Sequence, residues 1–508
     1  FCTTNALGTF CQGWYNNTIG VSPNNPDLVL FGGTTFWRTD DGGTTWVQKD
    51  RSACSTCGDT PACATYVDHH DIGFDPHDPD TVYSFNDGGV SISEDLGECW
   101  NSINEGLVTA QFYGMSSGRS NPSVVIGGLQ DHGLFGGNTD NGLNWERWGF
   151  FDGAETRVDP NNENRFFGSW INGTYWRSLN GTNTFALQIT NGINLNENTG
   201  AYWAPLSIHP NDGTILLGAT QQGIYKSTTS GTLWQKVHNA NVITELAFSE
   251  ADPSVCYAAS WNAGSWFIHR SNDGGDTWQI TNSAPGWRMT DLETSGSDPM
   301  TLFVSRNSIN TGNPHVYRSV DGGDTWVSIQ GNLPDMTVNA IAVDPTNDDM
   351  VYAATDLGVF ITIDGGINWS EFNTDLPITY VADIEFNPVD RKIRIGTYGR
   401  GVWVSDAFDI LGFEEQSSGI RNFMIYPNPS SGSFTISFTN SSESDIEVSI
   451  LNYLGQEIET FNKEQWQVGT NNTNISISAI LQQQSNGVYF VRVKTRQRSF
   501  VRKLIISD

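Results

Sequence analysis

Ser319-Val-Asp-Gly-Gly-Asp-Thr-Trp326 is one copy of a phrase that the chain writes repeatedly. A Ser or Thr is followed two residues on by Asp, two later by Gly, and then by a closing Trp. The same text stands at Thr39–Trp46, Ser271–Trp278 and Thr362–Trp369, with looser copies ending at Trp100, Trp145, Phe185 and Trp234. Successive closing aromatics are 40 to 54 residues apart. A recurring period of that size predicts stacked repeats, each one supersecondary unit.

Residues 72–100 show the content of one unit. Ile-Gly-Phe-Asp-Pro, a polar turn, Thr-Val-Tyr-Ser-Phe, Asn-Asp-Gly-Gly and Val-Ser-Ile-Ser lead into the box and Trp100. Short β-branched and aromatic runs between Asp/Asn/Gly/Pro turns are strand and hairpin signals. Four strands per repeat predict a β-propeller blade, with the box as the hairpin between strands three and four. There its Asp bonds turn N–H groups, its Gly takes a positive φ and its aromatic ring packs between blades. The box aspartates are therefore expected to be structural.

The box resembles the Asp-box (BNR) repeat of sialidases, sortilin ectodomains and oligoxyloglucan-type glycoside hydrolases, over about the first 410 residues. That resemblance implies a propeller and leaves function open, because enzymes and receptors share it. Second strands centre near residues 30, 83, 125, 167, 216, 257, 303, 352 and 394, which makes nine units. Nine fit one large ring, or the rear part of a two-propeller chain. A first residue that is Phe, with no signal peptide before it, points to a processed or truncated chain.

The net charge of −30 argues against a nucleic-acid partner and fits solubility in an extracellular or saline setting. No apolar run reaches membrane-spanning length. Six of the seven cysteines (Cys2, Cys11, Cys54, Cys57, Cys63 and Cys99) lie in the first hundred residues. In an exported chain they read as disulfide staples on long loops. A zinc site is the rival, but Cys54-x-x-Cys57 has no second pair at metal spacing. Cys256 falls in an inner strand and is expected to be a buried free thiol.

The domains expected are a propeller over 1–410, a linker over 411–421 and a small Ig-like antiparallel β-sandwich over 422–508. Strands of the sandwich are expected at 433–438, 447–451, 475–480, 488–493 and 500–506. This segment also carries ordered phrases: Tyr426-Pro427-Asn428-Pro429-x-x-Gly432, Leu454-Gly455, Gly487-Val488-Tyr489 and Lys503-Leu504-Ile505-Ile506. They look like the C-terminal sorting domain of type IX secretion substrates in Bacteroidota. The resemblance implies export through the periplasm, recognition by an outer-membrane shuttle, and a surface or extracellular location.

Blade geometry sorts the remaining polar residues. The start of strand one and the turn between strands two and three share one end of a blade, opposite the box. At that end lie Asp68, His69, His70, Asp71, Asn86 and Asp87 in unit two. Gln130, Asp131 and His132 follow in unit three, and Asp152 in unit four. Comparable phrases recur in a sortilin-like glycosyl-hydrolase repeat family, without a catalytic assignment that carries over. These ten residues form a candidate polar pocket for a sugar, a metal such as Ca²⁺, or a peptide end. The alternative is that they satisfy turn backbone. A pair such as Asp71 and Asp131, or Asp87 and Asp152, has the groups for glycosidase acid–base work. His-Glu-x-x-His and Walker phrases are missing, and no cofactor is required. Loop aromatics (Trp14, Tyr15, Trp148, Trp170, Trp203, Trp261, Trp266 and Trp287) either stack on sugars or pack between blades. Three functions stay open: a non-catalytic binding or adhesion module for a glycan or protein, a glycoside hydrolase, and a component of a surface assembly.

Overall fold

A computed structural model describes the chain apart from residues 1, 6–7, 12, 50–64, 142–144, 150–151, 171–172, 199–202, 282–288, 308–311, 409–419, 427, 429, 432, 441–445, 453–454, 462–468, 477–486, 495–498 and 507–508. The protein is all-β, and nine antiparallel sheets follow one another between Thr18 and Asp406. Eight have four strands in simple meander order, and the ninth has three among the described residues. Each second strand lies where the repeat placed it, from Val29–Gly32 and Val82–Asn86 to Asn347–Thr355 and Lys392–Thr397. These strands are apolar on both faces, as in Val351-Tyr-Ala-Ala-Thr355, because each blade is covered by a neighbour on each side. Fourth strands are short and wet, as at Val327–Ser328.

The box does its local work as its residue types require. In the seventh blade Ser319 Oγ donates to Asp321 Oδ1 at 2.8 Å and accepts from Gly323 N at 2.9 Å. Asp321 Oδ1 in turn accepts from Thr325 N at 2.8 Å. Gly323 has φ +89°, a conformation that disfavours any side chain. Closing Trp rings stitch blades together: Trp369 Nε1 donates to Ile329 O of the preceding blade at 2.9 Å, and Trp234 Nε1 to Ile189 O at 2.6 Å. Phe185, which lacks an N–H, is instead half exposed.

The nine units do not make one ring. First strands of blades three to nine touch in succession, and the ninth then returns to the third. Asp383 Oδ2 accepts from Met115 N at 2.7 Å, Glu385 Oε2 from Ser117 N at 2.8 Å, and Asn387 Nδ2 donates to Ser117 Oγ at 2.7 Å. A bridge between Gln111 and Tyr398 completes a seven-bladed ring. Blades one and two stand outside it and share their own core of Leu28, Leu30, Phe36, Ile72, Val82 and Trp100.

The C-terminal strands build a two-sheet sandwich. One sheet holds Ile420–Tyr426, Ser433–Asn440 and Gly469–Ser476; the other holds Glu447–Leu451, Glu457–Phe461, Gly487–Lys494 and Ser499–Ile506. Phe434, Phe438, Val448 and Val491 are fully buried between them. The first strand begins two residues before the expected boundary at 422. The strand expected at 475–480 is found at Gly469–Ser476, where a run of Asn and Thr hides it from hydrophobic periodicity. Residues 477–480 lie outside the described ones. Cys256 is a buried free thiol. Cys2 and Cys11 stand opposite each other in a two-stranded ribbon, whereas Cys54, Cys57 and Cys63 lie outside the described residues.

Candidate functional site

Blades two, three and four meet at a seam between the outlying pair and the ring, at the end opposite the boxes. Asp68 precedes strand one of blade two, and Asp87 sits in its turn between strands two and three. Asp131 occupies the matching turn of blade three, and Asp152 the entry to blade four. Asp68 and Asp131 both adopt left-handed backbone, with φ +61° and +59°. Strand alternation turns His69 inward and His70 outward, so His70 Nε2 lies 2.6 Å from Asp87 Oδ1. Tyr15 OH donates to the same carboxylate at 3.1 Å, with its ring edge-on to His70. Asn16 Nδ2 donates to Asp68. Asp152 Oδ1 accepts from Asp131 N at 2.8 Å. Tyr66 OH donates to Asp131 O, and its ring stacks on His132 with 4.9 Å between centroids.

Crowding sets the electrostatics. Partial burial, then the Asp87 and Asp152 charges and a hydrogen bond with Asp87, push Asp131 up to about 7. Burial and then Asp87 push Asp68 up to about 6, opposed by His70 and Asn16. Tyr66 rises to about 12 through burial first and Asp131 second. A hydrogen bond links Asp87 and Asp131, so the two carboxyls titrate as a pair with no room for a water held between them. Among the described residues, no three His, Cys, Asp or Glu side chains are placed to hold a metal ion.

Of the ten residues singled out in the sequence, Asp68, His70, Asp87, Asp131 and Asp152 come together. His132 and Gln130 flank them; Gln130 Oε1 accepts from Tyr113 OH at 2.7 Å and from Tyr398 OH. The other three lie elsewhere. His69 is fully buried, with Nδ1 2.7 Å from Ser84 Oγ. Asn86 supports its own turn, bonding Thr65 and Gly88 N. Asp71 is exposed and accepts from Ile72 N at 2.9 Å. Asn16 and Tyr66 carry no signal in the sequence, because they belong to no repeated phrase, and Tyr15 is marked there only as a loop aromatic.

An aromatic row extends from Gln130 across the ring. Tyr113 lies 4.4 Å from Trp203 and 5.8 Å from Tyr398, and Tyr398 lies 5.9 Å from Tyr380. Trp203 and Tyr380 are about two-fifths exposed, and Trp14, beside Tyr15, is 84% exposed. Trp148, by contrast, is core.

The ring axis is lined by acids from the first strands. Glu245, Glu293 and Asp383 are pushed well above the carboxylate range by burial first and neighbouring acids second. Asp291, at about 6, staples blades seven and eight by accepting from Ile341 N at 2.8 Å. Gly114-Met115-Ser116-Ser117-Gly118 has the spacing of a nucleophile elbow, but it runs along a blade strand with Ser116 buried, so it offers no exposed hydroxyl.

A model of the secretion system C-terminal sorting domain matches residues 424–507, and a model of sortilin, neurotensin receptor 3, matches residues 314–408. The chain is a β-propeller protein with a type IX sorting tail, and the sortilin likeness is confined to residues 314–408. In that tail Asn428 clasps the last strand, accepting from Ile505 N and donating to Lys503 O, each at 2.7 Å. Gly455 turns with φ +76°, Gly487 opens a strand, and Tyr489 is core. Pro427, Pro429 and Gly432 lie outside the described residues. The tail marks the propeller for export by type IX secretion to the cell surface or beyond. No described helix is long and apolar enough to cross a membrane. Two solved structures are similar. A GH74 enzyme of Niastella koreensis is 15% identical over 77% of this chain and 82% of its own, with TM-score 0.29. YCF48 from Cyanidioschyzon merolae is 12% identical over 59% of this chain and 96% of its own, with TM-score 0.42. No curated protein matches the sequence.

Proposed function

We propose that residues 1–410 are a binding module for an extracellular glycan or protein partner, and that 422–508 address it to the type IX outer-membrane shuttle. One observation carries the reading: the seam carboxylates and the exposed Tyr–Trp row form a continuous band on the end opposite the boxes. Carboxylates and phenols bond hydroxyls, while rings stack on sugar faces, and a glycan uses both. Hydrolysis is the second reading, favoured by Asp131, whose carboxyl is raised to about 7 beside a second carboxylate. The direct Asp87–Asp131 contact counts against it. A polysaccharide panel assayed for both binding and hydrolysis decides. Binding that Asp131→Asn and Tyr398→Ala weaken, with no turnover in the parent chain, is expected. Turnover abolished by Asp131→Asn establishes the enzyme, and binding unchanged in both variants sinks the seam as the site.

A further inference from the structure

We propose that the groove between blades five and six is a second binding site, built for an uncharged sugar unit. It lies at the same end of the blades as the seam but uses other residues. Gln222 comes from the turn between strands two and three of blade five, Asn239 from the end of its fourth strand, Asn241 from the connection, and Asn262 from the end of strand two of blade six. They surround a cavity of about 430 Å³, within the range of small-ligand sites.

The lining specifies the chemistry. Asn239, Asn241 and Asn262 are exposed, and none of their side-chain amides bonds to a described residue. Each offers two donors and an acceptor, the pattern that vicinal hydroxyls answer. Phe267 and Ile280, the latter 57% exposed, supply an apolar wall for a C–H face.

Among the described residues the groove presents no unpaired charge. Lys236 is the cation at its edge, and its Nζ is held 3.0 Å from Glu197 Oε1. Glu197 also accepts from Thr220 Oγ1 at 2.5 Å and Tyr225 OH at 3.0 Å, which fixes the pair in place. His269 has both ring nitrogens engaged, 3.1 Å from His238 Nε2 and 2.8 Å from Ser260 Oγ. Burial first and His238 second lower it to about 4, so it is neutral at pH 7. Among the described residues, a phosphate, sulfate or uronate finds no unpaired cation here, and a cationic ligand finds no unpaired carboxylate. What remains is a neutral, polyhydroxylated ring with one apolar face.

The test titrates the full chain by calorimetry with neutral hexasaccharides of glucose, xylose and mannose, an oligogalacturonate, and an unstructured neutral peptide. At least one neutral hexasaccharide is expected to bind. Asn241→Leu and Asn262→Leu should each weaken it about fivefold, the worth of one hydrogen bond, while Asp140→Asn, an exposed surface charge in neither site, leaves it unchanged. Ile280→Lys, on the exposed rim where folding is not at stake, should weaken it as well. Saturation by none of the neutral sugars, stronger binding of the oligogalacturonate or the peptide, or affinity indifferent to all three groove variants overturns the proposal. Loss in Asp131→Asn alone assigns the sugar to the seam, so the two sites fail separately.

Discussion

Asp131 shows what a site costs at the scale of one residue. It holds a left-handed backbone, hydrogen-bonds with Asp87, and faces Asp152 as well. Asn tolerates that backbone and removes the charge. The pKa of Asp131 is raised to about 7 from an unfolded value of about 4, so its contribution to stability is present below pH 4 and lost as pH rises through 7. Asp131→Asn is therefore predicted to melt like the parent at pH 5 and about 2–4 °C higher at pH 8. This corresponds to about 1 kcal/mol once solvent screening of a half-exposed group is allowed for. A variant that melts lower than the parent at pH 8 contradicts this. His70 and Asp87 are legible in the sequence as residues of one blade end, though not as partners, because their phrases flank the same strand pair. The contacts of Tyr15 and Tyr66 with the seam are not legible, since they span 72 and 65 residues and no local pattern encodes them.

Between elements, one repeated device joins blades. The residue before the box Ser or Thr is basic in five units and reaches the next one. Arg38 donates to Leu96 O at 3.1 Å, Arg177 to Ser230 O at 2.6 Å, and Lys226 pairs with Asp276 at 2.7 Å. Arg270 donates to Asp321 O and Gly322 O at 3.1 and 3.0 Å, and Arg318 approaches Asp349 at 3.3 Å. Because Arg270 is largely buried and its acceptors sit in the next box, Arg270→Met should cost about 1.5–3 kcal/mol and lower Tm by several degrees. Urea unfolding monitored by tryptophan fluorescence measures it, and a loss below about 0.5 kcal/mol would mean that the backbone carbonyls find other donors. Trp369→Ala, which empties a buried inter-blade ring and removes its bond to Ile329 O, is predicted to cost about 3–5 kcal/mol in the same assay. The turn of the box is readable because the bonds that shape it, such as Ser319 to Asp321 and Thr325 to Asp321, fall within a few residues. Ring closure is not: Met115 meets Asp383 across 268 residues, so the sequence counted nine blades without showing that seven close on themselves.

Over the whole molecule, two acid populations oppose each other. Box aspartates such as Asp41 and Asp273 are lowered to about 2, Asp41 by the Thr45 N–H and hydroxyl first and Asp273 by the Thr277 hydroxyl and N–H. Their contribution to stability is present above about pH 4 and lost only as pH falls through about 2. Channel acids shift the other way. Asp291 is raised to about 6, and Glu245, Glu293 and Asp383 stand well above the usual range. The folded ring keeps protons that the unfolded chain releases near pH 4, so this stability is present below pH 4 and lost as pH climbs through 6 and beyond. A maximum in Tm near pH 4–5 is therefore predicted, with a fall of several degrees by pH 8 in calorimetry. General self-repulsion of a chain at −30 slopes in the same direction. Glu293→Gln, inside the channel, separates the causes when compared with Asp140→Asn on the exposed surface. Each removes one ionisable carboxyl, but only the channel variant should flatten the alkaline limb. Equal flattening by both assigns the slope to net charge, and a Tm that rises from pH 5 to pH 8 removes the channel acids from the account.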